Sequence, residues 1–183
     1  MKINKSLPVL VTGATGYIAG WVVKNLLDEG ITVHAPIRDT TNTQKRVHLD
    51  KLAENSSGKI KYFESDLMIE DSYKEAMKGC ELVIHTASPF VMDSKDPQKE
   101  VIEPALKGTQ NVLKTVNETE SVKRVVLTSS IAAIYGNSID GQSVEGGLFN
   151  ESMWNTTSTS TDGEYSYSKT VAEKEAWKIC EEQ

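Results

Sequence analysis

A chain of 183 residues is long enough to bury a sizeable core and short enough to form one domain. Its formal net charge of −6, with no basic cluster, argues against nucleic acid as the main partner. No apolar run reaches the length that spans a bilayer and the N-terminus lacks a signal-peptide core, so a cytoplasmic protein is expected, without a membrane partner. Cys80 and Cys180 stand far apart without ligand spacing, and His34, His48 and His85 are scattered, so the thiols are expected reduced and no metal site is read.

Leu7 to Val11, interrupted only by Pro8, reads as a buried strand. The stretch VLVTGATGYIAG, Val9 to Gly20, then turns tightly into a helix over Tyr17 to Asp28, stopped by Gly30. Gly13 and Gly16 carry no Cβ, so backbone can approach a pyrophosphate, which the free N–H groups and positive dipole end of the helix attract. The spacing is Gly-x-x-Gly-x-x-Ala, with Ala19 in the last small position; the same glycines would also suit a β–α turn that holds no ligand.

Ile31 to Ile37 alternates as a second strand and delivers Arg38 to the edge where a nucleotide ribose lies. An acid there suits the 2′-hydroxyl of NAD, whereas an arginine pairs with the 2′-phosphate of NADP, so NADPH is the expected cofactor. Lys45, on a short helix after Thr43, either adds charge beside that phosphate or is a solvated lysine. Lys59 to Glu64 is the third strand; Asp66 and Leu67 at its carboxyl end frame an adenine, or Asp66 caps the next helix.

Tyr73 to Met77 reads as a short helix and Glu81 to His85 as the fourth strand, closed by the small residues Thr86, Ala87 and Ser88 before Pro89. A longer helix opens at Asp96 or Pro97 and buries Val101, Ala105, Val112, Leu113 and Val116 despite Pro104 and Gly108. Val122 to Leu127 is the fifth strand, ending in Thr128, Ser129 and Ser130. This alternation predicts an α/β fold whose parallel sheet is covered on both faces, with strands two and three on one side of the first and four and five on the other.

The segment 136–164, rich in Gly, Ser, Thr and Asn, is too long for an ordinary connection and reads as an active-site loop. It leads into a last helix that begins around Tyr165 and carries Lys169 one turn later on the same face. An ammonium beside a phenol favours the phenolate, which suits Tyr165 to proton exchange with a carbonyl oxygen. Ser130 would hold that oxygen, and the nicotinamide would supply the hydride.

These residues, with HTASP at His85, VVLTSSIAAIYG, FNESMWN and SKTVAEKEAW, resemble the extended short-chain dehydrogenase/reductase superfamily. Within it they are most similar to the dihydroflavonol reductase-like group of the NAD-dependent epimerase/dehydratase family, over essentially the whole chain. The resemblance implies a Rossmann-like, doubly wound domain over 1–183 and NADPH-dependent reduction of aldehyde or ketone carbonyls by Ser130, Tyr165 and Lys169. It implies cofactor contacts at Gly13, Gly16, Tyr17, Ile18, Arg38, Lys45, Asp66, Leu67, Thr86, Ala87, Ser88 and Tyr165, with Lys169 also on the nicotinamide ribose. It further implies a small-molecule substrate and a homodimer.

Three departures go with it, the first being Ala19 in place of the usual final glycine. Ala105 stands where many relatives carry an Asn before the Gly-Thr pair, and relatives continue past the catalytic helix into a substrate lobe that this chain is expected to lack. Two rival readings remain: a nucleotide-sugar epimerase or dehydratase, and a module that binds NADPH without turnover. Arg38 and the E-x-x-W run from Glu151 to Trp154 favour the reductase.

Overall fold

The computed structural model describes residues 3–89, 91 and 94–182. Its contacts divide the chain into two compact units, one formed by 1–87 and 111–128, the other by 88–110 and 129–183.

The first unit holds the whole sheet. Strands β1 (Val9–Thr12), β2 (Thr32–Ile37), β3 (Lys59–Glu64), β4 (Leu82–His85) and β5 (Arg124–Leu127) run parallel in the order β3-β2-β1-β4-β5, as the alternation predicts. All four β1 residues are buried, and their alternation serves two cores. Val9 and Val11 join Val23 and Leu27 of helix α1 (Tyr17–Asp28) and Leu49 of helix α2 (Val47–Glu54). Leu10 points the other way, with Tyr73, Val83, Val112 and Met77 of the short helix α3 (Lys74–Met77).

Two strand starts differ from the sequence expectation by more than one residue. Leu7 is spent in a turn, its N–H donating to Asn4 O at 3.1 Å, so β1 starts only after Pro8. Val122 closes a turn onto Thr119 O at 3.0 Å while its side chain packs on the core, and β5 starts at Arg124. The long helix expected from Asp96 or Pro97 does open there, with its first part widened to a π-type turn, Gln98–Ile102, that runs straight into helix α4 (Glu103–Asn117). Pro104 has no N–H to donate back along a helix, and the wide turn falls where that bond is missing. Pro36 is tolerated inside β2 because pairing with β1 ends at His34.

In the second unit, helix α5 (Glu164–Glu181) packs against the π-type turn and against a single turn, Ile131–Ala133. The loop that precedes α5 is tied to it by Lys174, whose ammonium lies 5.2 Å from the Trp154 ring centre.

Candidate functional site

In the first unit, β1 delivers Gly13 with φ at 66°, a backbone that only glycine adopts without strain. A Cβ on Gly13 would lie 3.0 Å from Ala87 Cα, so the turn after β1 is pressed against the chain leaving β4. Gly16 heads α1 with no side-chain cap, and no acid stands in the helix's first turn. The helix begins its own bonding with Gly20 N–H to Gly16 O at 2.8 Å; the Gly16 N–H donates to Gly13 O at 2.8 Å, and the Tyr17, Ile18 and Ala19 N–H groups have no acceptor within the helix. Tyr17 and Ile18 in that turn are exposed. These are the donors and the open approach that an anionic diphosphate needs.

Thr12 stitches this turn to the end of β4, which the sequence reading did not anticipate. Its hydroxyl oxygen accepts from Thr86 N–H at 3.1 Å and Ala87 N–H at 3.0 Å, and lies 2.7 Å from His85 Nδ1. With both acceptor positions used, the Thr12 O–H donates to Nδ1, which sets the buried His85 imidazole as its Nε2–H tautomer. Thr86 returns a bond from its own hydroxyl to Thr12 O at 2.5 Å. Thr86 and Ala87 are thereby fixed beside Gly13; Ser88 falls in the second unit.

At the ends of β2 and β3, Arg38 and Asp66 both act electrostatically on the buried Tyr73 hydroxyl. Burial raises the Tyr73 pKa, the Asp66 carboxylate raises it further, and the Arg38 guanidinium opposes both. Arg38 and Lys45 are exposed. Asp39, missed in the sequence, follows Arg38, but its carboxylate is turned onto its own loop, accepting from the Thr41 hydroxyl at 2.6 Å and the Thr41 N–H at 2.9 Å. Those bonds hold its pKa below the usual range, and the Lys45 charge adds to them.

The alternative in which Asp66 caps the next helix does not occur, because α3 starts after Tyr73 with no side-chain cap. Asp66 instead closes its own turn, accepting from Met68 N–H at 2.8 Å. Leu67 packs on the core, and its carbonyl accepts from Asn111 Nδ2 at 2.7 Å, a contact across 44 residues that no local signal announces.

Ser130, Tyr165 and Lys169 all belong to the second unit. Ser130 is extended and caps the turn Ile131–Ala133, its oxygen accepting from Ala132 N–H at 3.2 Å, which leaves its O–H proton as a donor. Ser129, its neighbour, donates to the Glu173 carboxylate of α5, so the two serines have different tasks. Lys169 is 9% exposed; burial lowers its pKa, and its ammonium sits 5.8 Å from the Tyr165 ring centre. Ala105, buried, offers only its carbonyl, which accepts from the Thr109 hydroxyl at 2.9 Å.

Among the described residues no group of three or more His, Cys, Asp and Glu side chains could hold a metal ion, and no helix is long and apolar enough to cross a membrane.

The profile of the NAD dependent epimerase/dehydratase family matches residues 9–183. A cinnamoyl-CoA reductase of Medicago truncatula is 44% identical over 177 residues, which cover 95% of this chain and 53% of that protein. An anthocyanidin reductase of Arabidopsis thaliana is 40% identical over 177 residues, covering 94% and 51%. Yeast methylglyoxal/isovaleraldehyde reductase, solved as a complex with NADPH, superposes with a TM-score of 0.79 at 31% identity, covering 96% of this chain and 53% of that one. The chain thus spans about half the length of the relatives it matches.

Proposed function

The chain belongs to the NAD dependent epimerase/dehydratase family, and on that footing we propose that it serves NADPH-dependent reduction of aldehyde or ketone carbonyls. The observation that carries this reading is the Lys169 ammonium over the Tyr165 ring at 5.8 Å, on a helix that also packs the turn headed by Ser130. That the three relatives described above are all named reductases supports it.

The residues present suit the cofactor. An α1 N-terminus without a side-chain cap or an acid fits a pyrophosphate held through Gly13, Gly16, Tyr17 and Ile18. Arg38 and Lys45 would hold the 2′-phosphate, a role favoured by Asp39 being engaged with Thr41. Asp66 and Leu67 would frame the adenine, Thr86, Ala87 and Ser88 would contact the cofactor, and Lys169 would hold the nicotinamide ribose. When bound, the nicotinamide supplies the hydride.

The protein's own residues do the rest. Ser130 donates its O–H to the carbonyl oxygen and holds it within reach of the phenol. Tyr165 gives its proton to that oxygen as it becomes the alcohol. The Lys169 ammonium offsets the negative charge left on the phenolate until solvent returns the proton.

The test is NADPH consumption by the full chain across a panel of aldehydes and ketones, with the alcohol product identified. Turnover of at least one carbonyl is expected. Tight NADPH binding with no turnover across the panel overturns the reading, and turnover of a sugar nucleotide without net NADPH loss would establish the epimerase or dehydratase instead.

A further inference from the structure

Between the turn of Ser130 and the start of α5 lies a buried amide, Asn155. Asn155 is 5% exposed, and its backbone N–H and both polar atoms of its side chain are hydrogen-bonded. Its backbone N–H donates to Ala133 O at 2.8 Å, and its side-chain Nδ2 donates to Ala132 O at 2.9 Å. Both carbonyls belong to the turn that Ser130 caps. The same Nδ2 donates to Ser158 Oγ at 2.9 Å, and Oδ1 accepts from Thr157 N–H at 3.1 Å and Ser158 N–H at 3.0 Å.

Ser158 in turn touches the entry to α5. Gly163 heads that helix in the left-handed region, φ 76°, and a Cβ there would lie 2.9 Å from Ser158 Oγ. On the other side, a Cβ on Gly136 would lie 2.9 Å from Asn155 Oδ1 and 2.3 Å from Ser158 Oγ, so the knot is closed without spare room. Ser130's turn, Asn155, Ser158 and Gly163 form an unbroken run of contacts that ends two residues before Tyr165.

We infer that Asn155 is a positioning residue, whose amide fixes the distance between the Ser130 hydroxyl and the Tyr165 phenol by bracing the Ser130 turn against the entry of α5. The inference rests on the reading of Ser130 and Tyr165 as the proton-handling pair. An amide suits the task because it donates to a carbonyl and accepts from amides at once, which a carboxylate of the same size does not. Misplacing a reacting group by a fraction of an ångström to an ångström is costly, so the bracing bears on rate rather than on cofactor affinity.

The experiment compares Asn155→Asp with the wild-type full chain by hydrogen exchange and by kinetics. The variant keeps the acceptor for Thr157 and Ser158 but loses both Nδ2 bonds. Exchange should quicken about tenfold in segments 131–135 and 163–168 together, while the β1 and β2 amides keep their rates. Ser158→Ala, the gentler cut, should quicken 163–168 alone. In carbonyl reduction, kcat of Asn155→Asp should fall about ten- to a hundredfold with KM for NADPH unchanged. Adding it to Ser130→Ala should lower kcat no further than Ser130→Ala alone, because a residue acting through Ser130 has nothing left to position.

Exchange unchanged in 131–135, or full additivity with Ser130→Ala, overturns the inference. If the wild-type chain reduces no carbonyl, the reductase reading falls, and the paired exchange response still decides whether Asn155 braces the two segments.

Discussion

Gly13 offers a quantitative check on the nucleotide turn, because two other glycines isolate the parts of its cost. Gly79, just past α3, has φ at 75° but nothing within 4 Å of where a Cβ would stand. Gly79→Ala therefore carries only the left-handed strain of about 1–2 kcal/mol, offset by about 0.4–1 kcal/mol from a stiffer unfolded chain, for a net loss near 1 kcal/mol. Gly13→Ala carries the same strain at φ 66° and adds contacts of 3.0, 3.2 and 3.3 Å with Ala87 Cα, N and Cβ, all closer than ordinary packing. Overpacking of that kind costs about 1–3 kcal/mol, so the total is about 2–4 kcal/mol. Gly20, in the interior of α1 with nothing within 4 Å of a Cβ, is the opposite control. Gly20→Ala should stabilise by about 0.5–1 kcal/mol. Urea unfolding of the three variants gives the ranking directly. If Gly13→Ala loses no more than Gly79→Ala, the close approach of the β1 turn to Ala87 is wrong, and with it the shape proposed for the phosphate cradle.

Three further outcomes are expected. Arg38→Glu should weaken NADPH by about tenfold or more and NADH far less, since a charge-assisted bond to the 2′-phosphate becomes a repulsion; titration of both dinucleotides tests it, and equal losses refute the assignment. Tyr165→Phe should lower carbonyl reduction by about 10²–10⁴-fold while NADPH titrates almost unchanged; a variant with near-normal kcat removes the phenol from the reaction. His34 is buried against Phe63 with Nδ1 2.7 Å from Ala76 O, and burial lowers its pKa below the ordinary histidine value. The unfolded chain then binds the proton first, so stability should be full above about pH 6.5 and fall as acid is added, until the folded pKa is passed. His34→Gln should lack that component of the pH profile; an unchanged slope between pH 6.5 and 5 shows that His34 is not its source.

Much of the first unit is legible in the sequence. Helix α1 keeps its expected bounds, Tyr17–Asp28, because an apolar stripe and the stop at Gly30 are both local signals. The order of five parallel strands follows from alternation and the handedness of crossovers, neither of which needs long-range detail. The helix opening at Pro97 is legible too, but its π-type winding over Gln98–Ile102, where Pro104 withholds an N–H, is not. On α5 the spacing of Tyr165 and Lys169 was visible, whereas the burial that lowers the Lys169 pKa was not.

By itself the sequence determined the strand–turn–helix rhythm, the glycine turn after β1, and the helical register of Tyr165 with Lys169. Each depends on residues within a few positions of one another, where backbone sterics and side-chain periodicity act. Only the tertiary structure decided that Thr12 would bond to His85, 73 residues away, that Ser129 would answer to Glu173 while Ser130 capped its own turn, and that Asn155 would hold the Ser130 turn. It also made Gly58 irreplaceable, since a Cβ there would lie 2.5 Å from Ile31 O. A polar atom's partner and the room around a Cα are set by whichever distant segment folding brings alongside, and nothing in the neighbouring residues encodes that.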